Sequence, residues 1–216
     1  MNIAILGTGM VGATVGKKLT DLGYKVMMGS RTSDNEKALA WVKKCGANAS
    51  AGKFSEAAAF GEIIFLCTNG AVTIEVIGLS GKENFNGKTV IDITNPLDFS
   101  KGMPPTLLPG LSNTNSLGEE VQKTLPDAKV VKTLNTVNCE IMIAPDKLSE
   151  ETSIYISGNE TAAKEKVTEI LRSFGWTSII DLGDISTARG TEMILPLWIR
   201  LWGALKTGHF NFKIVK

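Results

Sequence analysis

The sequence predicts an α/β protein: a doubly wound, mostly parallel β-sheet followed by a short C-terminal helical tail. Three observations predict it. Residues 2–6 form a short apolar strand that runs into Gly7-Thr8-Gly9-Met10-Val11-Gly12, a G-x-G-x-x-G turn, and then into a helical stretch at 13–22. Short runs that suit strands recur at 25–29, 62–67, 88–94 and 129–134. Helical segments alternate with them, and strand–helix alternation of this kind folds as a parallel sheet.

The glycine turn makes the fold Rossmann-type. Gly23 stops the first helix and residues 25–29 make the second strand, so strand, turn, helix and strand fit in about thirty residues. Gly7 permits the tight turn, Gly9 lets a pyrophosphate approach the backbone, and Gly12 lets the helix pack close to the strands. The helix N-terminus then offers unpaired N–H groups and a partial positive charge to phosphates. The second strand ends in Gly29-Ser30-Arg31-Thr32-Ser33, where an NAD site would carry a carboxylate. A guanidinium pairs with a 2′-phosphate and hydroxyls add donors, so Ser30, Arg31 and Thr32 argue for NADP(H). Asp34 is expected to lie beyond the site, where the chain has turned into the next helix.

The remaining elements follow in order. Residues 35–45 are helical, with Gly46 as the stop. Residues 47–50 suggest a short third strand, 54–60 a short helix, and 62–67 a buried strand ending at Thr68-Asn69-Gly70. Residues 72–77 suggest a helix, and 88–94 a strand ending at Asn95-Pro96-Leu97. From there to Asn115 the chain carries Pro96, Pro104, Pro105 and Pro109, which reads as a long loop bordering the ligand crevice. Ser116-Leu117-Gly118-Glu119 is a capping box that opens a helix ending before Pro126. Residues 129–134 are a strand ending at Asn135-Thr136, 153–157 another, 161–174 an amphipathic helix and 176–181 a further strand. A last long helix is expected from 186 to about 205, kinked by Pro196. Residues 1–185 would thus form the dinucleotide-binding domain, and 186–216 a helical segment that completes an acceptor site, a dimer interface or both.

Composition narrows the function. With 216 residues, 43% of them apolar, the chain can bury one sizeable core. A net charge of +1 with no long like-charge run points away from nucleic acid and membrane surfaces. The N-terminus leads straight into a core strand, the longest apolar stretch, 193–205, is interrupted by Pro196 and Arg200, and the three cysteines are widely spaced. These features suit a cytoplasmic protein with no metal signature.

In doubly wound sheets, ligands bind outside the carboxyl ends of the strands. The strand-end groups here are Gly7 to Gly12, Ser30 to Thr32, Thr68 and Asn69, Asn95 to Leu97, and Asn135 and Thr136. Their amides and hydroxyls suit a ribose or carboxamide; the alternative for each is a turn residue satisfying its own backbone. No general acid stands out. Lys132 lies within a strand, Tyr155 in a strand away from the crevice, and His209 near the C-terminus, so all three read as structural. A site without a proton donor suits an acceptor that manages its own proton, such as a flavin or deazaflavin ring. Ile194, Leu197, Trp198, Leu201, Trp202 and Leu205 fall at helical spacing and read as core or dimer face, or with Trp198 or Trp202 as a wall of the acceptor pocket.

Five segments occur in order: the glycine turn at 7–12, Gly-Ser-Arg at 29–31, Asp-Ile-Thr-Asn-Pro-Leu at 92–97, Val-Val-Lys-Thr-Leu-Asn-Thr-Val at 130–137, and Asp-x-x-x-Ala-Arg-Gly at 184–190. Together they resemble the NADPH-dependent reductase family typified by coenzyme F420:NADP oxidoreductase, to which the cytosolic domain of the STEAP metalloreductases is related. The resemblance implies that Thr8, Ser30 and Arg31 bind the 2′-phosphate and that the loops at Thr68–Asn69 and Asn95–Pro96 line the nicotinamide. It also implies direct hydride transfer between nicotinamide and a flavin-like ring, with coenzyme F420, FMN or FAD as the second substrate. Two rivals stand beside it. An imine or hydroxyacid reductase would follow the last strand with a large helical domain, for which only about thirty residues remain. A non-enzymatic NADP(H) sensor would share the glycine turn without any acceptor. The expected partners are a small redox acceptor and a second copy of the chain.

Overall fold

The computed structural model describes residues 1–215 of the chain, so Lys216, the end of the expected C-terminal segment, lies outside the described residues. β1 (Asn2–Leu6), α1 (Met10–Asp21) and β2 (Lys25–Ser30) form the first unit. α2 (Glu36–Cys45), β3 (Ala49–Lys53), α3 (Phe54–Phe60), β4 (Ile63–Leu66), α4 (Thr73–Leu79) and β5 (Thr89–Asp92) follow. A small antiparallel ribbon, β6 (Leu97–Asp98) and β7 (Thr106–Leu107), leads to α5 (Leu117–Thr124) and β8 (Lys129–Thr133). Then come α6 (Cys139–Ile143), β9 (Ser153–Gly158), α7 (Thr161–Phe174), β10 (Ser178–Asp181), α8 (Ala188–Met193) and α9 (Leu195–Leu205).

The main sheet has the order β10-β9-β8-β5-β4-β1-β2-β3. From β3 to β8 every neighbouring pair is parallel, whereas β9 runs antiparallel to β8 and carries β10 with it. The chain steps outward from β1 to β2 and β3, then returns to β4 on the other side of β1. That reversal opens a crevice at the carboxyl ends of β1 and β4, where such sheets hold their ligands.

Strand alternation feeds two cores, one on each face. Ile3 and Ile5 pack with Val15 and Leu19 of α1 and Trp41 of α2. Ala4 and Leu6 pack with Phe54, Ala57 and Ala58 of α3. Burying β1 on both faces makes it the rigid floor from which the glycine turn rises.

Some expectations shift. The third strand starts at Ala49, because Gly46 takes φ +79° and the next residues wind into a single 3₁₀ turn. The expected loop after Asn95 contains the β6–β7 ribbon. Only half of the capping box forms. Ser116 Oγ accepts from the Glu119 amide, but the Ser116 amide donates to Asn115 Oδ1, since the Glu119 carboxylate is drawn to Arg189. The last helix is two helices that break at Ile194, two residues before Pro196, which then sits in the first turn of α9 where its missing N–H is harmless. Helix α6, capped by Asn138, has no counterpart in the sequence reading. Among the described residues no helix is long and apolar enough to cross a membrane.

Candidate functional site

The glycine turn has the geometry its spacing requires. Gly7 sits at φ +125°, and a Cβ there would come within 2.6 Å of the Cys67 carbonyl oxygen. A Cβ on Gly12 would come within 2.3 Å of the Gly7 carbonyl oxygen, so the helix can start this close to the strand only with glycine. Gly9 caps α1 without a side-chain hydrogen bond, and a Cβ on it would meet nothing within 4 Å. The space over the helix N-terminus is therefore open, and it fits an anion. Thr8 is half-buried beside it, and Met10 is exposed on the rim.

At the end of β2, Ser30 is buried and its hydroxyl donates to the Thr32 carbonyl oxygen at 2.6 Å. Arg31 is exposed and pairs at 3.5 Å with Glu75 of α4, across the mouth of the crevice. Asp34 is not yet in the next helix, which begins at Glu36 after an Asn35 cap. It stays in the turn, where the Thr32 hydroxyl holds its carboxyl below the usual carboxylate range. A cation and two hydroxyls thus share this corner with two carboxylates, and the Ser30 and Thr32 hydroxyls are already engaged within the turn.

The ends of β4 and β5 enclose a cavity of about 180 Å³ lined by Val11, Cys67 to Gly70, Ile93 to Asn95, Leu97 and Phe99. The structure thus brings Thr68, Asn69, Asn95 and Leu97 together, as expected for one pocket. Thr68 shares a hydrogen bond with Thr73 Oγ1 at 2.9 Å, and Asn69 Oδ1 accepts from the Ala71 amide, a turn residue serving its own backbone. The Cys67 thiol is pushed far above its ordinary range, first by burial and then by the negative charge of Asp92. Among the described residues, no carboxylate, lysine, histidine or tyrosine lines this cavity. Pro96 is buried and, unlike its neighbours Asn95 and Leu97, does not line this cavity.

Asn135 lies one step behind. Leu134 takes φ +60°, rare for a branched residue, at the end of β8. Asn135 Nδ2 then donates to Asn95 Oδ1 at 2.9 Å and to the Thr191 carbonyl oxygen at 2.8 Å, while Asn95 Nδ2 donates to the Asn135 carbonyl oxygen. The two amides bind each other and α8. Thr136 is buried, and among the described residues its hydroxyl has no hydrogen-bond partner, an arrangement that costs about 1–3 kcal/mol if nothing binds there.

Behind the β5 and β8 ends lies a buried ion cluster. Lys132 Nζ is 3.0 Å from Asp92 Oδ2, 2.7 Å from Glu192 Oε1 and 2.6 Å from the Thr94 carbonyl oxygen, and all three side chains are at most 1% exposed. Burial pushes the Lys132 ammonium down, but Asp92 and Glu192 more than offset this and hold it above the usual lysine range. Glu192 also accepts from the Leu117 and Gly118 amides at the start of α5. Lys132 is thus buried and engaged by partners that its place in a strand does not reveal. A signal was present in the sequence: single charged residues, Asp92 and Lys132, inside otherwise apolar strands.

Other singled-out residues lie apart. Tyr155 is on β9, separated from β1 by β8, β5 and β4, and burial raises its phenol. His209 Nε2 lies 3.2 Å from Glu140 Oε2 at the surface. Trp198 stacks on Phe210 with ring centroids 5.1 Å apart, a packing role, while Trp202 is largely exposed. A depression of about 760 Å³ runs between α5 and Asn159–Glu160 and touches none of the expected strand ends.

Comparison with known proteins agrees with this geometry. Residues 2–96 match the family model described as NADP oxidoreductase, coenzyme F420-dependent. The F420-dependent NADP reductase of Methanocaldococcus jannaschii is 30% identical over 209 residues, covering 93% of this chain and 92% of that protein. The metalloreductase STEAP3 of Rattus norvegicus is 26% identical over 200 residues, which cover 91% of this chain but 37% of that protein. A crystal structure from Arthrobacter sp. FB24, provisionally named an F420-dependent NADP-reductase, superposes with a TM-score of 0.94 at 49% identity and full coverage of both chains.

Proposed function

The chain belongs to the F420-dependent NADP reductase family, an NADP-dependent oxidoreductase family, and from that premise we propose that it transfers a hydride directly between NADP(H) and a flavin-like ring such as coenzyme F420, FMN or FAD. The observation that carries this reading is the cavity at the β4 and β5 ends. It offers hydroxyls, amides, apolar walls and a thiol held protonated by burial, and no poised acid. Such walls bind and orient two rings but do not move a proton. The open cradle over Gly9 fits the pyrophosphate, and Arg31 is placed to leave Glu75 for the 2′-phosphate. Thr8 and Ser30 flank that route. Thr68, Asn69, Asn95, Pro96 and Leu97 would hold the nicotinamide, and the free Thr136 hydroxyl is a spare donor behind them.

The acceptor on this reading is a small molecule, and the other partner is a second copy of the chain. Leu197, Trp202 and Leu205 on α9 are 51%, 45% and 54% exposed, a large apolar face for a terminal helix. Sedimentation at micromolar concentration is expected to show a dimer; a single 23.1 kDa species rejects that part.

The test of the activity is a stopped-flow record of NADPH oxidation against a panel of coenzyme F420, FMN and FAD, with an imine and a hydroxyacid pair as controls. Rapid oxidation by a planar ring is expected. Turnover confined to the controls moves the imine or hydroxyacid reading to the front, and tight NADPH binding with no turnover on any acceptor favours a sensor.

A further inference from the structure

We propose that the buried Asp92–Lys132–Glu192 cluster is an electrostatic bias on the nicotinamide pocket, favouring the oxidised, cationic ring over the reduced, neutral one. The proposal rests on the cofactor reading above and extends it to residues that do not touch the pocket.

The charge count comes from hydrogen bonding. Asp92 Oδ1 receives the Thr94 amide and hydroxyl, and its Oδ2 receives Lys132. Glu192 receives Lys132 and the Leu117 and Gly118 amides. Every partner of Glu192 is an N–H donor, and Asp92 receives an amide, an ammonium and a hydroxyl, so the formal charges to be counted are two carboxylates and one ammonium. Two carboxylates against one ammonium leave one negative charge. The start of α5 returns roughly half a positive charge, and it does so at Glu192, not at Asp92. Among the described residues no other cation lies within ion-pair distance of either carboxylate.

The residual charge is aimed at the cavity. Asp92 closes β5, and the next three residues, Ile93, Thr94 and Asn95, are cavity walls. Its carboxylate holds Thr94 by both main chain and side chain, so it is one residue behind that wall. Its register partner on β4 is Leu66, the residue before Cys67. The Cys67 thiol, itself a cavity wall, feels the Asp92 charge. Asp92 itself is fully buried, and a charge held there is little screened by salt. NADP⁺ and NADPH differ here by one positive charge on the ring, and share every phosphate contact elsewhere. The cluster would therefore make the bound reduced form the stronger hydride donor, as a preorganised charge does where charge develops.

The experiment is calorimetric titration of the full chain, separately with NADP⁺ and with NADPH, for the unmodified protein and the variants Asp92→Asn and Glu192→Gln. In the unmodified chain NADP⁺ is expected to bind at least as tightly as NADPH. In Asp92→Asn the ratio of the two dissociation constants is expected to move about tenfold toward NADPH, and less in Glu192→Gln, whose charge the start of α5 already offsets in part. A purely structural role would weaken both forms equally, and that result overturns the proposal. So does a preference of the unmodified chain for NADPH, which needs no variant to fold. If the unmodified chain binds neither form, it is the cofactor reading that has failed. Circular dichroism on each variant separates lost folding from a changed ratio.

Discussion

Over β1 and β2 the rim of the sheet is made from two strand ends within one contiguous stretch of chain, with Gly9, Met10, Arg31 and Thr32 exposed to solvent. Over β5 and β8 it is made from Asp92, Lys132 and Glu192, brought together across the chain and at most 1% exposed. The open half offers a bare helix N-terminus and one exposed ion pair, Arg31–Glu75. The closed half ties two strand ends to α8 through ionic hydrogen bonds, backed by the Asn95–Asn135 amide pair. An exposed pair contributes about 0–1 kcal/mol and can be exchanged for a ligand at little cost. A buried cluster cannot be opened without stranding a charge. The difference separates a surface made to be occupied from one made to stay put.

Substitution at Gly9 should have the largest effect on the open half. Gly9→Val is expected to abolish NADPH binding, because the branched side chain fills the open space over the start of α1, while the sheet stays folded. Titration with NADPH beside a far-ultraviolet dichroism spectrum checks both halves of the statement, and parent-like binding would mean the phosphates lie elsewhere.

Lys132→Ala strikes the closed half and should cost about 3–5 kcal/mol of stability, since it strands two buried carboxylates. Urea unfolding measures it. A loss below about 1 kcal/mol would erase the contrast, by showing that the cluster holds nothing in place.

Arg31→Ala tests the open half more gently. NADPH binding should weaken by about 1.5–3 kcal/mol, the range for a hydrogen bond to a charged group. NADH binding and the urea midpoint should hardly move, because the Arg31–Glu75 pair is exposed. Equal losses for both dinucleotides would refute the 2′-phosphate assignment.

The smallest expected effect is on pH dependence. Neither half presents a poised acid to the cavity, and His209 is out at the surface with Glu140. The rate of NADPH oxidation should show no steep enzyme-derived pKa between about pH 6 and 8. His209→Ala and Tyr155→Phe should stay within about tenfold of the parent, against the 10²–10⁴-fold that loss of a true general acid costs. A hundredfold loss in either, with binding intact, would show that an acid had been missed.

The open half was legible in the sequence because its determinants are local. A glycine turn, the helix it opens and the strand that follows specify their own geometry within thirty residues, and Gly7, Gly12 and Arg31 stand where spacing placed them. The α/β alternation was equally legible, down to helices at 54–60 and 161–174. The tertiary structure decided the rest. It turned Asn95 and Asn135 toward each other, which no periodicity encodes, and left Thr136 buried without a partner. It engaged Thr32 with Asp34 and Arg31 with Glu75, and broke the last helix at Ile194. Above all it joined Lys132 to Asp92, 40 residues away, and Glu192 to the start of α5, 75 residues away. A charged residue inside an apolar strand announces that it needs a partner, because burial alone would be too costly. Which partner it finds depends on strand order and on where the final helices return, and only the folded chain sets those.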